Sequence, residues 1–600
     1  MQPPEILYER AGRSLFLLPG DRHRIRIRTP GMVLGTKSYD SYPVTIMEDD
    51  DFNMVLEGRI YDLPRCDLQK TLAGVVRQVF IAPPDHSSLG HRLHEMDGDF
   101  ILFMHEKRSG KTAVLNDLFG RLPLYYRCGK TGFALSRDAR FLYSLWNGLS
   151  VDRLSLAHFL MLGHALEEKT VFREIRLLTP ASLLQVDPLE RQVTVRRLHR
   201  FDFSQRDSEH ESGDRKADRL VEGFIAACKA RAGGDACHVV SLSGGLDSRA
   251  VAAGLHAAGS PFVTATFFRA GYTPDSETAC ARRVAQSLGA PWNLISLQPL
   301  RCRDARELLY LKAGFSPLYM AFILEYFREL RRRYGGDIVQ FTGDGGDQCL
   351  PALRPPVPMT GLPGLADYIV QDNYLGGRRL GMKLTTALTG IPEATLLNSL
   401  VEYLEALPEK SLEAKWLHWQ FYGIGVKICF EAEDRNRCYF WSASPFYSLP
   451  FYSDAIHCPQ SRKSGFDLYR RFLQRLSPAT AALEYSGYQG PLGSARFRLN
   501  HWKKRIKFIR PAWTLNLKHL LKGAEALPAG APLFGMMARE GAMHPILREV
   551  IDFGQLQRII AGGNRHDRYH MIHLFTALAM LGLGLYGDSV MDRHPDVLLL

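Results

Sequence analysis

The stretch Ser241-Leu242-Ser243-Gly244-Gly245-Leu246-Asp247-Ser248-Arg249 brings together two adjacent glycines, three hydroxyls and one carboxylate. Those residue types suit phosphate chemistry. Glycines let backbone N–H groups turn toward an anion, the Ser243 and Ser248 hydroxyls add side-chain partners, and Asp247 can hold Mg²⁺ beside the phosphates. A second stretch, Gly343-Asp344-Gly345-Gly346-Asp347-Gln348, repeats the pairing of glycines with acids. The elements that must position the first stretch are legible on both sides of it. His238–Leu242 reads as a short buried strand, and Ser248–Ala258 carries alanine, valine and leucine at helical spacing up to Gly259. Strand, glycine turn and helix in that order set the loop at a helix N-terminus, where the dipole favours anions.

The chain around the loop alternates strand and helix. Leu220, Phe224, Ile225 and Cys228 share a helical face that ends at Gly233-Gly234, and another helix opens at Asp275-Ser276-Glu277 and runs to Leu288-Gly289. Pro261–Phe268, Asn293–Leu297 and Asp337–Thr342 read as further strands. Such alternation means a parallel, doubly wound sheet with nucleotide at the strand C-termini. There Thr266, Phe267 and Phe268 either line an adenine pocket or pack the core. The loop is not a Walker A motif, which needs a four-residue spacer and a Lys-Ser/Thr ending. Ser-Gly-Gly-Leu-Asp-Ser resembles instead the pyrophosphatase loop of enzymes that split ATP between its α and β phosphates, leave AMP on an oxygen and release pyrophosphate. ATP and Mg²⁺ are the cofactors that this resemblance implies.

Composition sets the outer bounds. At 600 residues, 46% of them hydrophobic and 23% charged, the chain has room for two or more domains of soluble globular make-up. The net charge of +12 reads as a solvated basic surface, in part local: Arg22, Arg24, Arg26 and Arg28 alternate along one strand, and Lys503, Lys504, Arg505, Lys507 and Arg510 cluster late. No nucleic-acid motif accompanies them, so no nucleic-acid partner is expected. The ten cysteines show no Cys-x-x-Cys spacing, which argues against structural zinc and a disulfide scaffold. Met571–Tyr586, the most hydrophobic stretch, is short for a membrane span and reads as a buried helix. With no basic-then-apolar signal at Met1–Glu5, a cytoplasmic chain with no membrane partner is expected.

Residues 1 to about 200 read as many short strands. Gly98–Met104 is a strand, Arg108-Ser109-Gly110-Lys111 turns, and Thr112–Leu115 returns as its hairpin partner. Asn116-Asp117 then leads into Phe119-Gly120-Arg121-Leu122-Pro123-Leu124-Tyr125-Tyr126 and Gly132–Ser136. This succession, with Val55–Asp62, resembles the N-terminal glutamine amidotransferase domain of asparagine synthetases. The resemblance fails at the chemistry. That domain hydrolyses glutamine with a cysteine at position 2 and an oxyanion-stabilising asparagine; this chain has Gln2 and Glu57 there. A carboxylate opposes the developing negative charge. The expected domains are therefore 1–200, amidotransferase-like without the catalytic cysteine; 201–214, a polar linker; and 215–600, an ATP-pyrophosphatase domain with a helical C-terminal part.

The whole resembles the asparagine synthetase superfamily over about residues 50 to 350. The fold this implies is an α/β multidomain chain: a class II amidotransferase-like lobe of αββα type, then a doubly wound parallel α/β lobe of the adenine nucleotide α-hydrolase kind with helical additions. By the resemblance, Asp347 binds Mg²⁺ opposite Asp247, and Gly343 and Asp344 close the nucleotide site. Asp344 falls where synthetases carry a glutamate and β-lactam synthetases a tyrosine, so it could accept the proton of an attacking amine or position that amine. The family's catalytic lysine has two candidates, Lys427 and Lys463. Pro351–Pro358 is a proline-rich loop, and Asp434-Arg435 followed by Ser444-Pro445-Phe446 resembles, at shorter spacing, a family segment. A dead glutaminase lobe joined to a live ATP lobe looks like the β-lactam synthetase and lasso-peptide cyclase branch, and Arg249 and the Gly-Asp-Gly-Gly-Asp segment lean toward the cyclases. The substrate implied is a precursor peptide or a small-molecule carboxylate, with a leader-peptide-binding protein and a leader peptidase as partners. The alternatives are an asparagine synthetase or other small-molecule ligase using free ammonia or amine, and a non-catalytic nucleotide-binding scaffold.

Overall fold

The computed structural model describes residues 4–80, 86–129, 132–146, 148–204, 211–355, 359–372, 380–509, 544–561 and 568–586, and Gly535, Ala538, Arg539, Gly541 and Ala542 besides. Gln2, Arg510, residues 205–210 of the expected linker and 356–358 of the proline-rich loop lie outside the described residues, as do the side chains of Lys504, Arg505 and Lys507.

A helix, Pro4–Gly12, leads to a ribbon of β1 (Arg22–Thr29) and β2 (Met32–Ser38), paired antiparallel. The alternating arginines lie on β1 and meet acids there: Asp40 pairs with Arg22 and Arg24, and Glu5 with Arg28. Next come β3 (Val44–Glu48), β4 (Phe52–Ile60), β5 (Gly98–Glu106), β6 (Thr112–Asn116), β7 (Tyr125–Gly129), β8 (Gly132–Ser136), β9 (Ile175–Leu177), β10 (Ser182–Asp187) and β11 (Gln192–Arg197). They form two antiparallel sheets, one ordered β11-β10-β6-β5-β4-β3 and the other β8-β7-β9. β5 lies inside the larger sheet and is buried from Gly98 to His105, which is why Phe100–Met104 is a continuous apolar run rather than an alternation. Helices Arg65–Phe80 and His86–His94 complete this lobe's layers. The hairpin of Gly98–Met104 with Thr112–Leu115 stands as expected.

Phe201 and Phe203, inside the stretch expected as linker, are buried against Phe421, so the crossing into the second lobe is already core. Ser212 then caps the helix Gly213–Arg231, its hydroxyl accepting from the Arg215 N–H. The second sheet consists of β12 (Cys237–Ser241), β13 (Val263–Arg269), β14 (Trp292–Leu297), β15 (Ile338–Phe341) and β16 (Trp441–Ala443) in the order β14-β13-β12-β15-β16. Every pairing in it is parallel. The four strands expected from the sequence are present within two residues of their bounds. β16 is not among them: three residues are too few for a period to show. The strand order reverses at β12, so the loop after β12 and the loop after β15 open on one crevice at the sheet's C-terminal edge.

The apolar stretch near the C-terminus is the helix Arg568–Tyr586. It wedges between the lobes, with His573 beside Phe159 of the helix Arg153–Leu162, and the Thr576 hydroxyl accepting from the Leu318 N–H at 3.2 Å. Among the described residues no helix is long and apolar enough to cross a membrane.

Candidate active site

The Ser-Gly-Gly-Leu-Asp-Ser turn lies between β12 and the helix Asp247–Ala257, with Leu242 and Leu246 buried beneath it as anchors. Inside the turn the Ser243 N–H donates to Ser248 Oγ at 3.0 Å, the two hydroxyls lie 3.0 Å apart, and the Gly245 N–H donates to Ser243 Oγ at 3.2 Å. The serines thereby fix the curvature of the turn at the helix N-terminus. Gly244 is required by its neighbours: a Cβ there would fall 2.6 Å from Ser486 Oγ, and its carbonyl accepts from the Ser486 N–H at 3.3 Å. Behind the turn Arg249, 1% exposed, donates to the carbonyls of Thr480 at 3.1 Å, Leu483 at 3.0 Å and Glu484 at 2.7 Å. Its role is to clamp the Thr480–Glu484 strip, not to touch substrate.

Three other expected nucleotide contacts take internal partners. Ser241 Oγ accepts from Gln340 Nε2 at 2.7 Å and lies 3.1 Å from the Tyr326 hydroxyl. Thr266 donates to the Leu242 carbonyl at 2.7 Å and accepts from the Trp292 indole at 2.9 Å. Phe267 packs on Phe322 and Tyr326. Thr266 and Phe267 both take core partners, Thr266 buried and Phe267 half-buried. Phe268, half-buried, points to the opposite face of β13.

The second wall is Gly343–Gln348, and it touches the first. A Cβ on Gly343 would lie 2.6 Å from the Ser248 amide nitrogen, and one on Gly346 would collide with Asp247 Oδ1. Only glycines allow the two loops to approach so closely. Asp247, Asp344 and Asp347 thus belong to one cluster. Burial and the Asp347 carboxylate push the Asp247 carboxyl up to about 8, against a lowering hydrogen bond from Tyr469. That bond, 2.5 Å from the Tyr469 hydroxyl to Asp247 Oδ1, comes from a side chain only 1% exposed. Burial raises Asp344 as well, opposed by the nearby Arg121 guanidinium. Among the described residues no group of three or more acidic, histidine or cysteine side chains could hold a metal ion. Mg²⁺ in nucleotide sites takes one or two carboxylates plus phosphate oxygens, and Asp247 and Asp347 fit that demand.

The two lysine candidates part company. Lys427 lies in a π-helical stretch, Trp419–Cys429, whose Cys429 accepts from Gln348 Nε2 at 3.3 Å while Gly425 faces Gln348 Oε1. Lys427 points elsewhere, 3.5 Å from the Lys169 carbonyl in the first lobe, and burial lowers it to about 8. It does not join the aspartate cluster. Lys463 is 2% exposed and lines a narrow cleft with Gln348, Gln460, Phe421 and Tyr452, beside the segment that carries Asp347. A surface reading of Lys463 is excluded.

In the first lobe Glu57 is not free to face a substrate. Its Oε1 accepts from the Tyr42 hydroxyl at 2.6 Å and pairs with Arg137, which also pairs with Asp434 of the helix Phe430–Arg437. Glu57 is thus part of a lobe-to-lobe ion network. Sequence reading missed Tyr469, Ser486, Tyr447 and Arg121; none carries a local signal, since each acts on residues distant in the chain.

Residues 33–197 match the family model of a glutamine amidotransferase domain, and residues 219–352 match that of asparagine synthase. Among solved structures, glutamine phosphoribosylpyrophosphate amidotransferase from B. subtilis complexed with ADP and GMP is 11% identical, with 54% of this chain and 68% of that chain covered and a TM-score of 0.17. A second, the allosteric regulatory enzyme of purine biosynthesis, is 10% identical over 51% of this chain and 72% of that chain, with a TM-score of 0.18. No curated protein matches the chain.

Proposed function

We propose that the chain, an ATP-dependent carbon–nitrogen ligase of the asparagine synthetase superfamily, joins a carboxylate and an amine of one substrate molecule, and that this substrate is a precursor peptide closed into a lasso-type macrolactam. One contrast carries the reading. The ligase lobe keeps its phosphate turn and its facing aspartates, whereas the Glu57 carboxylate, held by Arg137 and Tyr42, stands where glutamine hydrolysis needs an oxyanion donor. Nitrogen from glutamine is then not on offer, and an amine already on the substrate replaces it.

In this reading the turn at Ser243–Ser248 receives the phosphates of ATP. Asp247 and Asp347 would hold Mg²⁺, whose charge would offset that of the pyrophosphate leaving group. A substrate carboxylate attacks the α-phosphate, giving an acyl-adenylate and pyrophosphate. The amine then attacks the acyl carbon, the amide forms, AMP leaves, and Asp344 takes the amine's proton on its carboxylate. Lys463 offers the positive charge that the phosphate needs during transfer. Because both reacting groups sit on one chain, holding them together supplies much of the rate. A leader-binding protein and a leader peptidase would deliver the peptide, and the need for ATP sets the work in the cytoplasm.

Co-expression with a candidate precursor, followed by mass spectrometry and a pyrophosphate assay, tests the proposal. The expected result is a product lighter by one water and pyrophosphate release that depends on the peptide. Release that responds to aspartate plus ammonia and never to peptide would sink it. Asp247→Asn should abolish pyrophosphate release with any substrate.

A further inference from the structure

The first lobe has lost its own chemistry, yet one of its arginines reaches the wall of the ligase site. Arg121 stands in the Phe119–Tyr126 turn, 0% exposed, its Nε donating to Asp99 Oδ1 at 3.2 Å and its Nη2 pairing with Glu433. Its guanidinium carbon lies over two rings of the second lobe, 4.1 Å from the Tyr447 centroid and 4.6 Å from that of Phe430. Tyr447 in turn grips the aspartate-bearing segment twice. Its hydroxyl donates to Gln348 Oε1 at 3.0 Å, and its ring presses on Gly345, where a Cβ would come within 2.8 Å of it. Gly345 has a φ of +96°, a conformation that L side chains rarely adopt. The segment is therefore held at both ends of the Asp344–Asp347 span by one ring, and that ring is backed by a cation from the other lobe. Arg121 Nη1 is buried without a hydrogen-bond partner.

We propose that Arg121 is a positioning residue for the nucleotide and metal site: by stacking on Tyr447 it keeps Gly343–Gln348, and with it Asp344 and Asp347, in register with Asp247. The amidotransferase-like lobe then completes the ligase site from outside it. This rests on the ligase reading above, and deepens it by giving the first lobe a task in ATP-dependent chemistry. Lysine cannot replace the arginine, because its ammonium is compact and lacks a planar face to stack. Arg137 offers the comparison, since it too joins the lobes, through Glu57 and Asp434, but makes no contact with Tyr447.

The test uses the full chain and two probes, ATP and Mn²⁺. Binding of Mn²⁺ with ATP is followed by electron paramagnetic resonance and by calorimetry, alongside thermal melting, for wild type and for Arg121→Lys, Tyr447→Leu, Tyr447→Phe and Arg137→Met. Arg121→Lys and Tyr447→Leu are expected to weaken Mn²⁺ binding in the presence of ATP about ten-fold and to alter its spectrum, with ATP binding alone changed less than two-fold. Tyr447→Phe, which keeps the ring, should retain most of the wild-type affinity. Arg137→Met should lower the melting temperature without shifting Mn²⁺ affinity. Wild-type affinity in Arg121→Lys, or an equal loss in Arg137→Met, overturns the proposal and leaves the ligase reading intact. Failure of the wild type to bind Mn²⁺ with ATP overturns the ligase site itself, and the proposal with it.

Discussion

Asp247 is the side chain on which most of the site depends, and its surroundings leave it little freedom. One carboxylate oxygen, Oδ1, is taken by the Tyr469 hydroxyl and walled in by Gly346. A hydrogen bond to a charged group is worth about 1.5–3 kcal/mol, and 1.4 kcal/mol is a factor of ten in binding. Tyr469→Phe should accordingly weaken Mg²⁺-dependent ATP binding about ten-fold while the helix Asp467–Leu476 stays folded, as titration calorimetry and circular dichroism would record together. An unchanged affinity would mean that Asp247 needs no orienting partner. The aspartates were legible in the sequence because glycine-acid loops after apolar strands have a chemical reason to exist. Tyr469 was not legible: in Asp467–Leu476 it reads as one more apolar residue on an amphipathic helix, and its use of the hydroxyl appears only when Asp247 is brought across the fold.

Helices and strips carry the next layer of constraint. Arg249 satisfies three carbonyls of the strip after Asp467–Leu476, that of Thr480 buried and those of Leu483 and Glu484 half-buried. A buried carbonyl left without a partner costs about 1–3 kcal/mol and a half-buried one less, so Arg249→Met should destabilise the protein by roughly 2–3 kcal/mol in urea unfolding. His164, after the helix Arg153–Leu162, gives a pH effect. Burial lowers its pKa from 6.5 to about 3, and it stays neutral in the fold. The unfolded chain binds that proton near pH 6.5 and the folded chain does not, so its contribution is complete above pH 6.5 and drains away as pH falls toward 3. His164→Gln should flatten the loss of melting temperature between pH 6.5 and 4; a slope equal to wild type would show that other groups set the acid limb. Strand–turn–helix units were readable from period and punctuation. Phe430–Arg437 and β16 were not: the helix carries five charged side chains in eight residues and is still buried, and its acids and bases find partners in both lobes, Glu433 with Arg121, Arg437 with Asp99, and Glu431 and Asp434 with Lys312.

Across the whole molecule the lobes are joined by charge where two separate domains would show a wet seam. Asp99 accepts from both Arg121 and Arg437, Glu433 pairs with the same two arginines, and Asp97 pairs with Arg231. All these side chains are buried or nearly so. Removing one partner of such a set costs about 3–5 kcal/mol, because the rest are left as uncompensated interior charges. Arg437→Met should therefore lower the stability of both lobes in one cooperative transition, seen as a single calorimetric peak at reduced temperature; two separated peaks would show that the lobes unfold independently. The helix Arg568–Tyr586 adds a constraint of another kind, in time. Its seat is shaped by Arg153–Leu162 and Leu318–Phe322, which leave the ribosome long before it does. At about 5–20 residues per second, the apolar groove waits on the order of tens of seconds for its occupant.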